Sequence, residues 1–288
     1  MEFIIQLAII VSIFAILGIS LNLVVGYTGL LSVGHAAFYG IGAYTSAILL
    51  ADYGVNFFIG LLTGLLLATI IGFLIGLILS KFKDDYFTLV SVGFNVIIFT
   101  IFVNWTDVTH GQLGIPGISK PKIIDFVFYS SSRYLFFTLV ILGIIYLAAK
   151  YITSTSFGRV LKAIREDEEA IKVFGYNVHY YKLTIFVISA GMASVAGSLY
   201  ASYITFIDPG TFRVFESIVI LAIIILGGLA NTKGAVLGAI LLVIIPELLR
   251  FVGFPSSITG QMRQLTYGII LIFLMLYRPQ GLMGEYKL

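Results

Sequence analysis

FIIQLAIIVSIFAILGISLNLVVGYTGLLSVGHAAFYGIGAYTSAILLA, residues 3–51, contains no Asp, Glu, Lys or Arg. A helix that crosses a bilayer needs roughly 20 apolar residues, so this stretch holds two crossings. The composition of the whole chain agrees. Of 288 residues, 59% are hydrophobic and only 11% charged, and the mean hydropathy is +1.07. Water-soluble domains run at about 45–50% apolar and about 25% charged residues. The segment before the first apolar run, Met1-Glu2, has no basic residue, and that run is too long for a cleaved signal.

Beyond residue 51, uncharged runs long enough to cross continue to the end of the chain. They predict an all-α integral membrane protein, a polytopic bundle of about nine helices (eight to ten). The segments are 3–25, 35–51, 55–80, 86–103, 134–149, 183–204, 217–231, 234–250 and 264–277. Helices are expected because a segment in lipid must satisfy its own backbone hydrogen bonds. The last three are short for a full crossing, which suggests tilted or broken helices. No linker or soluble insert interrupts residues 1–288, so the chain is expected to form a single transmembrane domain.

Loop charge sets the expected orientation. Eleven basic residues fall on one side: Lys81, Lys83, Lys150, Arg159, Lys162, Arg165, Lys172, Lys182, Lys233, Arg278 and Lys287. Six fall on the other: Lys120, Lys122, Arg133, Arg213, Arg250 and Arg263. The first side is expected to be cytoplasmic, which with nine crossings puts the N-terminus outside and the C-terminus inside. The largest inner loop is about 150–182. The largest outer loop, 104–133, is rich in Gly, Asn, Ser and Pro and reads as ordered turns.

Two constellations could carry chemistry. The first lies in the opening stretch, where Gly26, Gly29 and Gly34 cluster. Glycine costs a helix about 1 kcal/mol against alanine, so the cluster predicts an interrupted helix. Such a break is tolerated at membrane depth only where protein or a water-filled cavity satisfies it. One reading is a break lining a solute path, with Gly26, Tyr27, Thr28, Gly29, Ser32 and His35 along it. The other is a tight loop leading into a helix-packing face, where Gly40 and Gly42 permit close approach. A lone histidine such as His35 at a helix start is more often a satisfied structural donor than a proton carrier.

The second constellation is 156–175. Ser154, Thr155 and Ser156 offer N-caps and Gly175 a stop. As one helix, the segment puts Phe157, Val160, Leu161, Ile164 and Ile171 on one face. Glu168 projects from the middle of that face, while Arg159, Lys162, Glu166 and Glu169 point elsewhere. An acid within an apolar stripe suggests a partnered contact, so the helix reads as one that docks into another protein. An amphipathic helix lying on the lipid surface fits less well with acids at each of positions 166–169.

Among the other polar residues, Asn22 and Asn95 could bond between helices. Glu247 could pair with Arg250 one turn away, and Glu216 could be an interface residue at the start of its segment. With no cysteine in the chain, disulfides and thiolate metal sites are excluded. No phosphate-binding Gly-rich loop, His-Glu-x-x-His run, nucleophile elbow or dinucleotide fingerprint occurs. No catalytic residue, metal ligand, cofactor or nucleic-acid contact is therefore expected.

The run Gly26-Tyr27-Thr28-Gly29-Leu30-Leu31-Ser32-Val33-Gly34-His35-Ala36-Ala37-Phe38 resembles the opening motif of permease subunits of branched-chain amino-acid ABC transporters of the M-subunit type. Gly158, Arg159, Arg165, Glu168, Ala170 and Gly175 resemble its coupling-loop motif. Asn104-Trp105, Gly111 and Gly114-Ile115 resemble its outer-loop pattern. Gly227-Gly228-Leu229, Gly234, Gly238-Ala239, Pro246-Glu247-Leu248 and Arg278-Pro279-Gln280-Gly281-Leu282 are similar to its C-terminal signatures. The likeness runs from about residue 20 to 284. It departs at Asn95, where the family often carries an acid, and at His110, where glycine is usual.

The resemblance implies a multi-pass protein of a prokaryotic inner membrane. Its partners would be a second homologous permease, two cytoplasmic ATPase subunits and an external solute-binding protein. It would pass branched-chain amino acids by alternating access, with Glu168 and its neighbours transmitting force and the 26–35 break lining the path. Urea or short amides are an alternative cargo within the same group. A transporter driven by an ion gradient would want carboxylates at mid-membrane, and a non-transporting scaffold is a third reading. A weak inverted repeat is also legible, setting Tyr27–Val33 against Asp208–Val214 with only Gly29/Gly210 and Val33/Val214 identical.

Overall fold

A computed structural model describes the chain except residues 1, 83, 124–125, 128–129, 249–255, 279, 285 and 287–288. Lys83, Arg250, Pro279 and Lys287, used above for charge, pairing and motif, lie outside the described residues, as does the side chain of Arg263. In chain order the helices are α1 (Glu2–Thr28), α2 (His35–Ala51), α3 (Phe57–Leu79), α4 (Asp84–Asn104), α5 (Thr106–Thr109) and α6 (Ser131–Ser154). They continue as α7 (Ser156–Glu166), α8 (Glu168–Val173), α9 (Val178–Ile204), α10 (Val214–Gly227), α11 (Thr232–Leu248) and α12 (Ser256–Tyr277).

Every segment expected to cross contains a helix, but the helices are not equivalent. Among the described residues, α1, α3, α4, α6 and α9 are each long and apolar enough to cross alone. Helix α2 has 17 residues. Helices α10 and α11 are bent 118° from one another at a short break, and count together as up to a sixth crossing. Five or six apolar candidate crossings among the described residues, with shorter helices between them, are consistent with an all-α membrane protein.

Helices α1, α2 and α9 form the centre, and small residues make that possible. Lipid tails are as apolar as leucine, so helices in a bilayer associate through close packing rather than by escaping water. A Cβ on Gly42 would sit 2.1 Å from Ser194 O, and one on Gly197 would sit 2.0 Å from Tyr39 O. Ser46 donates to Ser198 Oγ across the same contact (2.7 Å). Helix α3 lays Gly60, Gly64, Ala68, Gly72 and Gly76 against this pair. That stripe recurs every four residues, as one helix face requires.

The chain unwinds twice inside the bundle. After α1, residues 29–34 turn back from the end that carries α7, so that His35 begins α2 level with Ser20. Ser20 lies eight residues before Thr28, about 12 Å down α1. After α9, residues 205–213 descend from the opposite end through a 3₁₀ turn at Pro209–Phe212, whose Phe212 packs on Tyr39 and Tyr44. The two short helices that follow meet at their starts, where the backbone N–H of Ala36 donates to Ser217 Oγ (2.8 Å).

At the end opposite α7, the described part of 104–133 contributes to two short strand pairs. Ile115–Pro116 pairs antiparallel with Phe206–Ile207, and Lys122–Ile123 pairs with Phe126–Val127. His110 has φ 59°, a left-handed conformation that glycine adopts without strain.

Candidate functional site: the junction of the first helix break and the charged elbow

The two constellations legible in the sequence meet. Helix α7 packs against the end of α1, where the final carbonyls have no partner within their own helix. Arg165 supplies one. Its guanidinium donates to Gly26 O and, at 3.4 Å, to Val25 O. A cation at a helix C-terminus is also favoured by the helix dipole. The other face of Arg165 lies 4.2 Å from the ring centre of Tyr286, and Lys162 lies 5.5 Å over the ring of Tyr27. Burial lowers the Arg165 pKa, and Tyr286 and Glu166 oppose that shift.

Gly26 and Gly29 hold this junction for different reasons. A Cβ on Gly26 would lie 2.0 Å from Asn22 Oδ1 and 2.6 Å from Ala230 N. Asn22 needs that space because it clamps the α10–α11 turn. It accepts from the N–H of Ala230 (3.0 Å) and donates to Asn231 O (2.9 Å). Gly29 has φ 76°, and a Cβ there would be 3.1 Å from Arg165 Cγ. Thr28 closes the helix by donating to Val24 O (2.7 Å).

The rest of the break climbs away from the elbow, and α4 satisfies its backbone. Thr88 donates to Leu31 O (2.9 Å), and Ser91 accepts from Val33 N–H (3.0 Å). Ser32 is buried. His35 is also buried, with Nε2 2.7 Å from Ser20 Oγ. The Ser20 hydroxyl also reaches Leu17 O (2.8 Å). Of the six residues assigned to a path, Thr28 and Gly29 border a cleft of about 290 Å³ beside Arg165 and Glu168. Gly26, Tyr27, Ser32 and His35 sit in packed protein.

The elbow departs from expectation in one respect. The single helix expected across 156–174 breaks at Asp167, whose carboxylate accepts from the N–H groups of Glu169 and Ala170 (both 3.0 Å) and so starts α8. Glu168 does have a partner, but within the chain. It pairs with Lys182 (2.5 Å) and Lys172 (3.0 Å). Burial raises the Glu168 pKa, but the hydrogen bonds from Lys182 and Lys172 outweigh it and hold the carboxyl below its usual range.

Gly158 meets Thr153 O at the α6–α7 corner, with a Cβ distance of 2.3 Å. Arg159 is exposed and donates to Ser156 Oγ (2.9 Å). Gly175, with φ 85°, ends α8 in a paired turn. Its N–H donates to Lys172 O, and that of Tyr176 donates to Ile171 O. That turn leaves Val173 87% and Phe174 77% exposed.

Sequence reasoning passed over Lys182, Tyr286, Asn231, Ser217 and the Val173–Phe174 tip. Only the Glu168–Lys172 pair had a local signal, its spacing of four residues. Lys182 and Tyr286 reach the site across long stretches of chain. Asn22 and Asn95 do bond between segments, as expected. Asn95 donates to Ser217 Oγ (3.0 Å). Glu216, read as an interface residue at the start of its segment, lies in the first turn of α10 next to the buried Ser217.

The model of a family described as the permease component of branched-chain amino acid transport systems matches residues 3–276. The chain belongs to that family. It is 35% identical, over 97% of its own length and 69% of the relative's, to the high-affinity branched-chain amino acid transport system permease protein LivM of Escherichia coli K12. It is 28% identical to the probable branched-chain amino acid transport permease protein LivM of Methanocaldococcus jannaschii, over 72% of this chain and 62% of that one. Among solved structures, PsaBC from Streptococcus pneumoniae in complex with Fab aligns with 96% of this chain and 91% of its own, at 16% identity and a TM-score of 0.48.

Proposed function

We propose that the chain is the transmembrane permease subunit of an ATP-driven importer of branched-chain amino acids. The importer would comprise a second homologous permease, two cytoplasmic ATPase subunits and an external solute-binding protein. The observation that carries this reading is the junction between α7 and the end of α1. A charged segment outside the apolar helices grips the first break in the bundle through Arg165. Family membership supports it, and the expected likeness to M-type permeases agrees with the LivM relatives.

In this reading α7 and α8 are the coupling element. Its contact with the ATPase is the apolar tip Val173–Phe174, since an exposed apolar pair on a charged segment marks an interaction site. Glu168 acts indirectly, by tying α8 to the start of α9 through Lys182. ATP-driven closure of the ATPases would push this tip. Arg165 would pass the movement to α1, and Asn22 would pass it to the α10–α11 turn. The bundle would then exchange the side on which it is open. Nine helical segments, the N-terminus outside, the C-terminus inside and two inverted halves (α1–α4 and α9–α12) complete the proposal. The paired unwound segments entering from opposite ends support the inversion.

The test is uptake of labelled L-leucine by vesicles holding both permeases and the ATPases, with binding protein outside and ATP inside. Uptake that needs all of them supports the proposal. Uptake that persists without the ATPases would instead favour an ion-gradient mechanism. Because the chain lacks cysteine, a Phe174→Cys variant gives a clean orientation test. Labelling from the external face of intact cells would overturn the coupling assignment.

A further inference from the structure

A cavity of about 480 Å³ lies in the half of the bundle away from the charged elbow. That volume is in the range of about 300–1,000 Å³ typical of small-molecule sites. Its floor is the place where the two unwound segments deliver α2 and α10. Tyr39, one turn into α2, and Glu216, in the first turn of α10, both line it, with Tyr200 and Thr211 beside them. Val219 and Leu242 form an apolar wall. Gln6, near the start of α1, and Glu247, near the end of α11, border its mouth.

Two polar groups there are left over by the fold. The Tyr39 hydroxyl is fully buried and has no hydrogen-bond partner, whereas Tyr200 bonds to Thr211. Among the described residues, Glu216 has no ion-pair partner, although its charge acts on both Tyr39 and Tyr200. A carboxylate inside a membrane protein without a cation is costly, and an unpaired buried hydroxyl is costly as well. A ligand that brings one cation and one acceptor would relieve both, and the wall beside them is aliphatic.

We infer that this cavity receives a free aliphatic α-amino acid, with Glu216 accepting its ammonium group, Tyr39 donating to its carboxylate, and Val219 and Leu242 against its side chain. The inference rests on the proposed importer function and adds a site within a single permease subunit, reached from the mouth at Gln6 and Glu247. The converging helix starts contribute placement. The unpartnered acid and phenol contribute the selectivity.

The test is saturation-transfer NMR on the assembled transporter in lipid nanodiscs, without binding protein. The probes are L-leucine, isoamylamine (the amine without the carboxylate) and 4-methylpentanoate (the carboxylate without the amine). Glu216→Gln should weaken both leucine and isoamylamine about tenfold or more, as expected for loss of a charge-assisted contact. Tyr39→Phe should weaken leucine while leaving isoamylamine unchanged. Unaltered gel-filtration elution confirms that each variant is folded. Leucine signals that are absent in the wild type, or equal in the wild type and Glu216→Gln, would overturn the inference. So would 4-methylpentanoate binding as well as isoamylamine. Failure of the wild-type complex to import leucine would instead defeat the importer reading itself.

Discussion

Lys182 is 3% exposed, and the pair it makes with Glu168 is the costliest contact at the elbow to break. Truncating one member of a buried ion pair strands the other. Lys182→Ala should therefore lower stability by about 3 kcal/mol, and the apolar-neutral pair Lys182→Met with Glu168→Gln should recover most of it. Thermal unfolding in detergent measures both. The same site sets an acid limit. Glu168 has its folded pKa below the unfolded value of about 4.3. Its stabilisation is complete above that value and is lost as pH falls through the folded one. Lys172, raised by its hydrogen bond to Glu168, contributes below its unfolded value of about 10.4 and loses that contribution as pH rises through the folded one. The cluster should thus leave the melting temperature flat between about pH 5 and about pH 9, and Glu168→Gln should show a shallower fall in acid. At Gly29, φ 76° makes alanine cost about 1 kcal/mol before it meets Arg165.

Among whole elements, α3 shows how a helix with large exposed apolar residues is held in place. Phe58, Leu62, Leu66, Phe73 and Leu77 face outward, while the glycine stripe faces α2 and α9. Substitution should therefore be tolerated in inverse relation to size. Gly72→Leu, whose first added carbon would already lie 2.9 Å from Ala190 Cβ, should abolish a monodisperse gel-filtration peak. Leu66→Ala on the opposite face should leave it unchanged. Helix α8 is governed by its ends. Asp167 starts it and Gly175 stops it, so Gly175→Ala should displace the Val173–Phe174 tip. In the assembled transporter, leucine uptake per ATP hydrolysed should fall, while the melting temperature of the permease changes little.

Across the molecule, Asn22 and Arg165 join three parts of the chain that are remote in sequence: the end of α1, the elbow and the α10–α11 turn. Asn22→Ala would leave the N–H of Ala230 and the carbonyl of Asn231 without the partner they now have. At about 1–3 kcal/mol for a stranded buried group, it should destabilise the fold by about 2 kcal/mol or more in thermal unfolding. Arg165→Lys keeps a charge but loses the planar guanidinium whose Nη1 reaches the Val25 and Gly26 carbonyls and whose face lies over Tyr286. ATP hydrolysis by the assembled transporter should then continue with uptake reduced, measured as the ratio of the two rates. An unchanged ratio would remove Arg165 from the coupling route.

Residues 3–51 by themselves determined that this is a membrane-embedded helical protein with an interruption among Gly26, Gly29 and Gly34, because lipid tolerates few charges and glycine disfavours a continuous helix. The elbow at 156–175 was legible through its charge and its stop at Gly175, and the Gly60–Gly76 stripe was there to be read through its period of four. Tertiary structure alone decided that α10 and α11 bend 118° from one another, that Glu168 is answered by Lys182, and that Arg165 closes α1. Hydropathy records whether a segment can lie in lipid, but not whether it runs straight through or turns back beside a neighbour. The partner of a buried polar group is chosen by packing between segments far apart in the chain, and sequence spacing carries no trace of it.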